Sequence, residues 1–195
     1  MEIILASGSP RRKELLSLTS LPFTVRVSDA EEITDPELPP YFTVEQLSLL
    51  KASSVASEVK AEGKDAIIIG SDTVVVFNDC ILGKPENQAD AKKMLTALSG
   101  NWHSVLTGVT VMNTKNAKSE TFYVETKVHF IPLSEEVIDD YIATNEPMDK
   151  AGSYGIQGKG GLFVDRIDGD YFNVVGLPMC KLITVLKEEF GIDCM

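Results

Sequence analysis

The chain has 195 residues, 44% of them hydrophobic, and its 18 Lys plus Arg against 29 Asp plus Glu give a net charge of −11. That apolar fraction is too high for disorder, and the length suffices to bury roughly two thirds of the unfolded chain's surface without disulfide or metal staples. A chain this acidic lacks the broad cationic face that coats DNA or RNA, so no nucleic-acid polymer is expected as a partner, and an anionic substrate must be held by a local basic cluster or a metal.

The first predicted strand, Ile3 to Ala6, runs into Ser7-Gly8-Ser9-Pro10-Arg11-Arg12, where Ser9 suits a helix N-cap and Pro10 the first helical position. Cations in a first turn oppose the helix macrodipole. Arg11 and Arg12 are therefore either two surface arginines or the guanidinium forks of a phosphate site. A strand at Phe23 to Val27 follows. Between Arg26 and Lys51 there is no positive residue, while Asp29, Glu31, Glu32, Asp35, Glu37 and Glu45 fall in the gap. This is a solvated acidic loop, or the source of a carboxylate for a hard divalent cation. Thr43 and Gln46 form a capping box that predicts a helix from about Val44, with Lys51 on it.

Strands are predicted at Ala66 to Ile69 and Thr73 to Phe77, interrupted by Gly70-Ser71-Asp72. A carboxylate between two apolar strands is costly unless it has a partner, a metal or a shifted pKa. Asp72 is thus either the side chain of a structural Asx-turn or a catalytic or metal-binding group. Gly83-Lys84-Pro85 places a lysine at a turn. A helix from Gln88 stops at Ser99-Gly100, strands at Val105 to Met112 and Phe122 to Phe130 flank a hairpin turn at Asn113 to Lys118, and Ser134 caps a helix from Glu135. Five glycines lie between Gly152 and Gly161, among Tyr154, Ile156 and Gln157. They make either a flexible surface loop or a backbone that approaches a ligand closely, and the spacing is neither a Walker A loop nor a dinucleotide fingerprint. Strands at Leu162 to Ile167 and Tyr171 to Val175, with Asp168-Gly169 as a hairpin turn, and a helix from Pro178 complete the chain. The pattern is α/β with mixed pairing, and without a linker it is expected to form a single domain, 1–195.

Cys80, Cys180 and Cys194 form no CxxC, and His103 and His129 are too far apart for a helical metal pair, which points to a reducing compartment and no structural zinc. No apolar run approaches ~18 residues, and Glu2 stands where a signal peptide would be basic. A cytoplasmic protein with no membrane attachment is expected.

Six blocks carry a resemblance: Ser7-Gly8-Ser9-Pro10-Arg11-Arg12; Gly70 to Val75; Gly83-Lys84-Pro85; Ser99-Gly100 with His103 and Thr107-Gly108; Asp149 to Gly158; and Asn173-Val174-Val175-Gly176-Leu177-Pro178. In this order, from Ile3 to about Leu186, the chain resembles the Maf-like nucleotide pyrophosphatases. The resemblance implies an inosine-triphosphatase-like α/β fold with a long mixed twisted sheet, flanking helices and two lobes around a central cleft. It implies a homodimer that hydrolyses a nucleoside triphosphate to the monophosphate and pyrophosphate with Mg²⁺ or Mn²⁺. By motif, Asp72 is the proton acceptor or a metal ligand, and Glu32 a metal or water partner. Arg11, Arg12, Lys51 and Lys84 contact phosphate, and Ser7 lies in the same substrate-binding loop. Arg11, Thr73 and Gln157 match the branch that prefers dTTP and UTP. Alternatives are a 7-methyl-GTP pyrophosphatase and a non-catalytic nucleotide sensor affecting cell division. Ser71 and Lys159 depart from the family pattern, where alanine and an apolar residue are common.

Overall fold

Runs rich in Ile, Val and Thr build a seven-stranded mixed sheet in the computed structural model, which describes residues 1–32 and 37–195; Asp35 of the acidic stretch lies outside the described residues. In chain order the elements are β1 (Glu2–Ala6), α1 (Pro10–Leu16), β2 (Phe23–Val25), α2 (Pro40–Ala61), β3 (Ala66–Phe77), β4 (Cys80–Leu82) and α3 (Gln88–Leu98). They continue with β5 (Trp102–Asn113), β6 (Ser119–Phe130), α4 (Glu135–Ala143), three short 3-10 segments between Glu146 and Phe163, β7 (Val164–Asp168), α5 (Tyr171–Val175) and α6 (Met179–Phe190). The strand order is β2-β1-β3-β5-β6-β7, with β4 on β3. β1 pairs in parallel with β2 and β3, whereas β4 on β3 and β7 on β6 are antiparallel. The α/β class and mixed pairing are as expected.

The chain forms two compact units. The first comprises Met1–Asp72, Thr107–Val124 and Gly176–Met195, and the second Thr73–Leu106 and Glu125–Val175. In the first, Ile4, Ala6, Ala66 and Ile68 of the sheet pack with Ala52, Val55, Ala56 and Val59 of α2. In the second, Leu95, Leu98, Phe130, Ile138, Tyr141, Tyr154 and Phe163 form an aromatic-rich core. Phe130 meets Tyr154 and Phe163 edge to face at 4.7 and 5.8 Å between ring centroids.

Local signals locate most helices. Asn87 caps α3 by accepting from the Asp90 N–H at 3.0 Å, and Ser134 caps α4 by accepting from the Val137 N–H at 3.3 Å. Five expectations are corrected. α2 starts at Pro40, not near Val44, because proline at the first helical position needs no N–H partner; Thr43 lies inside the helix and donates back to the Pro39 carbonyl at 3.4 Å. β3 is one continuous strand through Gly70-Ser71-Asp72, with Gly70 in register with Ala6. β7 begins only at Val164, since Lys159–Phe163 winds into a 3-10 turn. Residues 171–175 are helical rather than extended, and Asp168-Gly169 is not a hairpin. Asp170 Oδ1 accepts from the Phe172 N–H at 2.8 Å and starts α5, and this cap outweighs the strand preference of an aromatic and β-branched run.

Candidate active site

Two glycines let α2 lie directly on the sheet in the first unit. A Cβ on Gly70 of β3 would stand 2.4 Å from the Ser48 carbonyl oxygen, and one on Gly108 of β5 would stand 2.2 Å from that of Val44. Only glycine tolerates so close a backbone approach. Lys51, on the α2 turn beyond Ser48, is thereby brought to the strand that carries Asp72. Its Nζ donates to Asp72 Oδ1 at 2.5 Å and lies 2.9 Å from Glu32 Oε1. Of the adjacent pair Glu31 and Glu32, Glu32 makes this contact. The Asp72 carboxylate is 9% exposed in an otherwise apolar strand and has the partner its burial requires. Lysine and aspartate are both largely covered, while about half of the Glu32 side chain is exposed.

Beside this pair, the loop from β1 to α1 is braced by Arg12. Its Nε donates to the Gly176 carbonyl at 2.8 Å, and its Nη1 donates to the Ser71 carbonyl at 2.9 Å and to Ser7 Oγ at 3.2 Å. Ser71 Oγ donates to the same Gly176 carbonyl at 3.1 Å, so the departure from alanine at this position adds a buried hydrogen bond. At least three of the five guanidinium donors thus address the protein itself. Burial lowers the Arg12 pKa and Arg11 acts in the same direction, against the opposing fields of Asp72 and Glu32. Ser9 caps α1 by position without a side-chain hydrogen bond, and Ser7 Oγ accepts from its N–H at 3.3 Å.

Ser7, Arg11, Arg12, Glu32, Lys51 and Asp72 therefore belong to one neighbourhood of the first unit. Its three cations outnumber its two carboxylates in a chain of net charge −11, which favours a polyanion here. Glu32 and Asp72 turn oxygen atoms toward one point, held by the Lys51 ammonium. Such hard donors fit Mg²⁺ or Mn²⁺. Among the described residues no group of three or more His, Cys, Asp or Glu gathers as a metal site, so a cation at this pair would complete its shell with water and phosphate oxygens, as Mg²⁺ commonly does.

Thr73, Lys84 and Gln157 lie in the second unit. Thr73 is half-buried in β3 and Lys84 is exposed after β4. The carbonyl of Gly83 accepts from the Gly152 N–H at 3.0 Å, which ties the Lys84 turn to the glycine-rich segment. Gln157 is exposed in a turn closed by the Gly158 N–H donating to the Gly155 carbonyl at 3.2 Å. The glycines here face the protein's own groups: a Cβ on Gly152 would meet Val75 at 2.8 Å, and one on Gly158 would meet Glu146 Oε1 at 2.2 Å. Glu146 escaped the sequence reading. Its only signal is position, just ahead of a run of glycines that must pack against something.

A cationic loop beside a lysine-paired carboxylate is a set of groups suited to binding a phosphorylated anion. The sequence model of the Maf-like protein family matches residues 2–189, and the chain belongs to that family. It is 53% identical over 192 residues to a dTTP/UTP pyrophosphatase of Bacillus cereus (strain AH187), covering 98% of this chain and 97% of the relative. It is 52% identical, with the same coverage, to a dTTP/UTP pyrophosphatase of Bacillus thuringiensis subsp. konkukian (strain 97-27). Among solved structures it is similar to a nucleoside-triphosphatase / dITP/XTP pyrophosphatase from Mycobacterium abscessus, with a TM-score of 0.42 and 14% identity over 68% of this chain and 76% of that one.

Proposed function

We propose that this protein hydrolyses dTTP and UTP to the monophosphate and pyrophosphate, a house-cleaning activity on normal or modified pyrimidine nucleotides. The observation that carries the reading is the lysine-paired Asp72 beside the Arg11 and Arg12 loop, in a chain about half identical to dTTP/UTP pyrophosphatases over nearly its whole length. Water attacks the α-phosphorus, its proton passes to an Asp72 carboxylate oxygen, and the bond from the α-phosphorus to the bridging oxygen breaks with release of pyrophosphate. Lys51 is the proton-rich neighbour that holds Asp72 in place. Arg11, Lys51 and Lys84 meet phosphate charge, while Arg12 shapes the Ser7 loop and adds its own charge. Glu32 and Asp72 would hold Mg²⁺ or Mn²⁺, whose contribution is to neutralise charge on the phosphates.

Thr73 and Gln157 take the base-selecting role that the family resemblance gives them. A glutamine amide can accept from the N3–H and donate to O4 of uracil or thymine, a pair worth ~1 to 3 kcal/mol of discrimination by analogy with side-chain readout of base edges. The family match over 2–189 supports treating the chain as one functional domain. The resemblance also supports a homodimer, and the exposed Tyr41, Phe42, Leu49 and Leu50 of α2 offer apolar surface suited to a subunit contact; the free thiols of Cys80, Cys180 and Cys194 support a reducing, cytoplasmic compartment. No helix among the described residues is long and apolar enough to cross a membrane.

The deciding experiment is a panel of nucleoside triphosphates, 7-methyl-GTP included, with pyrophosphate and monophosphate both measured. Equal yields of the two products from UTP and dTTP are expected. Preference for 7-methyl-GTP would move the chain to the other branch, and binding without turnover would make it a sensor.

A further inference from the structure

We propose that Glu146 is a positioning residue for base selection: its carboxylate gathers the glycine-rich loop and thereby fixes the turn that presents Gln157. The inference rests on the pyrimidine-nucleotide reading above.

Glu146 opens the first 3-10 segment, directly after Asn145, which has a left-handed φ of 59°. Its half-buried side chain collects three donors. Oε1 accepts from the Tyr141 hydroxyl at 3.0 Å and from the Gly160 N–H at 3.2 Å, and Oε2 accepts from the Lys159 N–H at 3.0 Å. Tyr141 in turn accepts from the Gly155 N–H at 3.3 Å. The turn holding Ile156 and Gln157 is therefore tethered on both sides: at Gly155 through Tyr141, and at Lys159 and Gly160 through Glu146 itself. Lys150 closes the base of the loop by donating to the Glu146 carbonyl at 2.6 Å.

The glycines fit this arrangement. A Cβ on Gly158 would stand 2.2 Å from Glu146 Oε1, one on Gly160 would stand 2.7 Å from the Tyr141 hydroxyl, and one on Gly155 would stand 2.7 Å from Lys150 Cε. Gly158 and Gly160 supply no Cβ where the loop comes closest to the Glu146 carboxylate and the Tyr141 hydroxyl, and Gln157, a polar side chain at its turn, is left exposed. Three donors converging on one group call for an acceptor without protons of its own, which a carboxylate is and an amide is not. Burial works against the charged form of Glu146, but the Lys159 and Gly160 N–H groups, the Tyr141 hydroxyl and Lys150 outweigh it and leave the carboxyl below its ordinary range. An exposed glutamine discriminates between bases only if its backbone is held before the base arrives.

The test compares purified wild type, Glu146→Gln, Gly158→Ala and the double variant for pyrophosphate release from UTP and GTP, with thermal unfolding alongside. In Glu146→Gln, KM for UTP should rise roughly tenfold while kcat stays within about threefold, and the ratio of kcat/KM for UTP over GTP should fall by a similar factor. Gly158→Ala keeps the carboxylate but forces it aside, so it should show the same split, and the double variant should be no worse than the more affected single one. An unchanged UTP to GTP ratio in both single variants overturns the inference while wild-type turnover keeps the pyrophosphatase reading standing. Loss of kcat in equal measure on both nucleotides overturns it too, since that is what mere loosening of the fold produces. A wild type that releases no pyrophosphate from UTP overturns the reading and the inference with it.

Discussion

Gly70→Ala tests whether close packing of α2 on β3 sets the Lys51–Asp72 pair. The added methyl would lie 2.4 Å from the Ser48 carbonyl oxygen, 2.9 Å from the Ala52 nitrogen and 3.0 Å from the Ala52 Cβ. Two of these are helix backbone atoms, so no rotamer change relieves the contact, and α2 has to retreat by about 1 Å to reach ordinary van der Waals range. Lys51 lies between Ser48 and Ala52 on the same helix, so its 2.5 Å contact to Asp72 stretches by a comparable amount. Overpacking of this kind costs ~1–3 kcal/mol, which for a chain of this size lowers Tm by about 2–12 °C. A misplacement of about 1 Å at reacting groups costs on the order of 10²-fold in rate. Thermal unfolding and pyrophosphate release from UTP measure the two effects separately. Gly63→Ala is the contrast: φ is +70° there but no atom stands within 4 Å of the new Cβ, so it should lose about 1–2 kcal/mol through backbone strain with turnover nearly intact. If Gly70→Ala melts and turns over like wild type, or if Gly63→Ala loses as much activity, helix approach does not set the pair.

Asp72→Asn keeps size but removes the charge that pairs with Lys51, and turnover on UTP should fall by ~10² or more with the fold retained; near-normal turnover would take Asp72 out of the chemistry. EDTA should abolish pyrophosphate release, and Mg²⁺ or Mn²⁺ should restore it, given the all-oxygen pair Glu32 and Asp72; full activity in chelator removes the cation from the reaction. Burial, with a smaller contribution from His129, holds the His103 imidazole at about 4 against an ordinary 6.5, so as pH falls the unfolded chain takes up this proton before the folded one. The stability tied to His103 is complete above about pH 6.5 and is lost progressively toward pH 4, up to about 3 kcal/mol, and urea midpoints over that window should fall more steeply for wild type than for His103→Gln; parallel slopes refute the assignment.

What the sequence discloses depends on how far each cause reaches along the chain. Caps are local, so Ser134 placed α4 in agreement with the structure. Composition misled at Tyr171–Val175, where Asp170 caps the turn and the buried Asn173 side chain is anchored on the Val105 carbonyl and Thr126 Oγ1. At the candidate site, the cost of a buried carboxylate made it evident that Asp72 needs a partner, but nothing near Asp72 says that the partner is Lys51, because that pairing depends on α2 resting against Gly70 and Gly108. Arg12 is the reverse case. Its position suggests a fork open to phosphate, whereas the acceptors that take three of its donors include the carbonyl of Gly176, which is 164 residues away. Glycine runs carry the same ambiguity. Between Gly152 and Gly161 they show that backbone comes close to some other group, and ligand and protein are equally good candidates until the fold brings Glu146 into the loop. A glycine reports where a side chain has no room; which group takes that room is a tertiary fact, and here it is a carboxylate on a neighbouring turn.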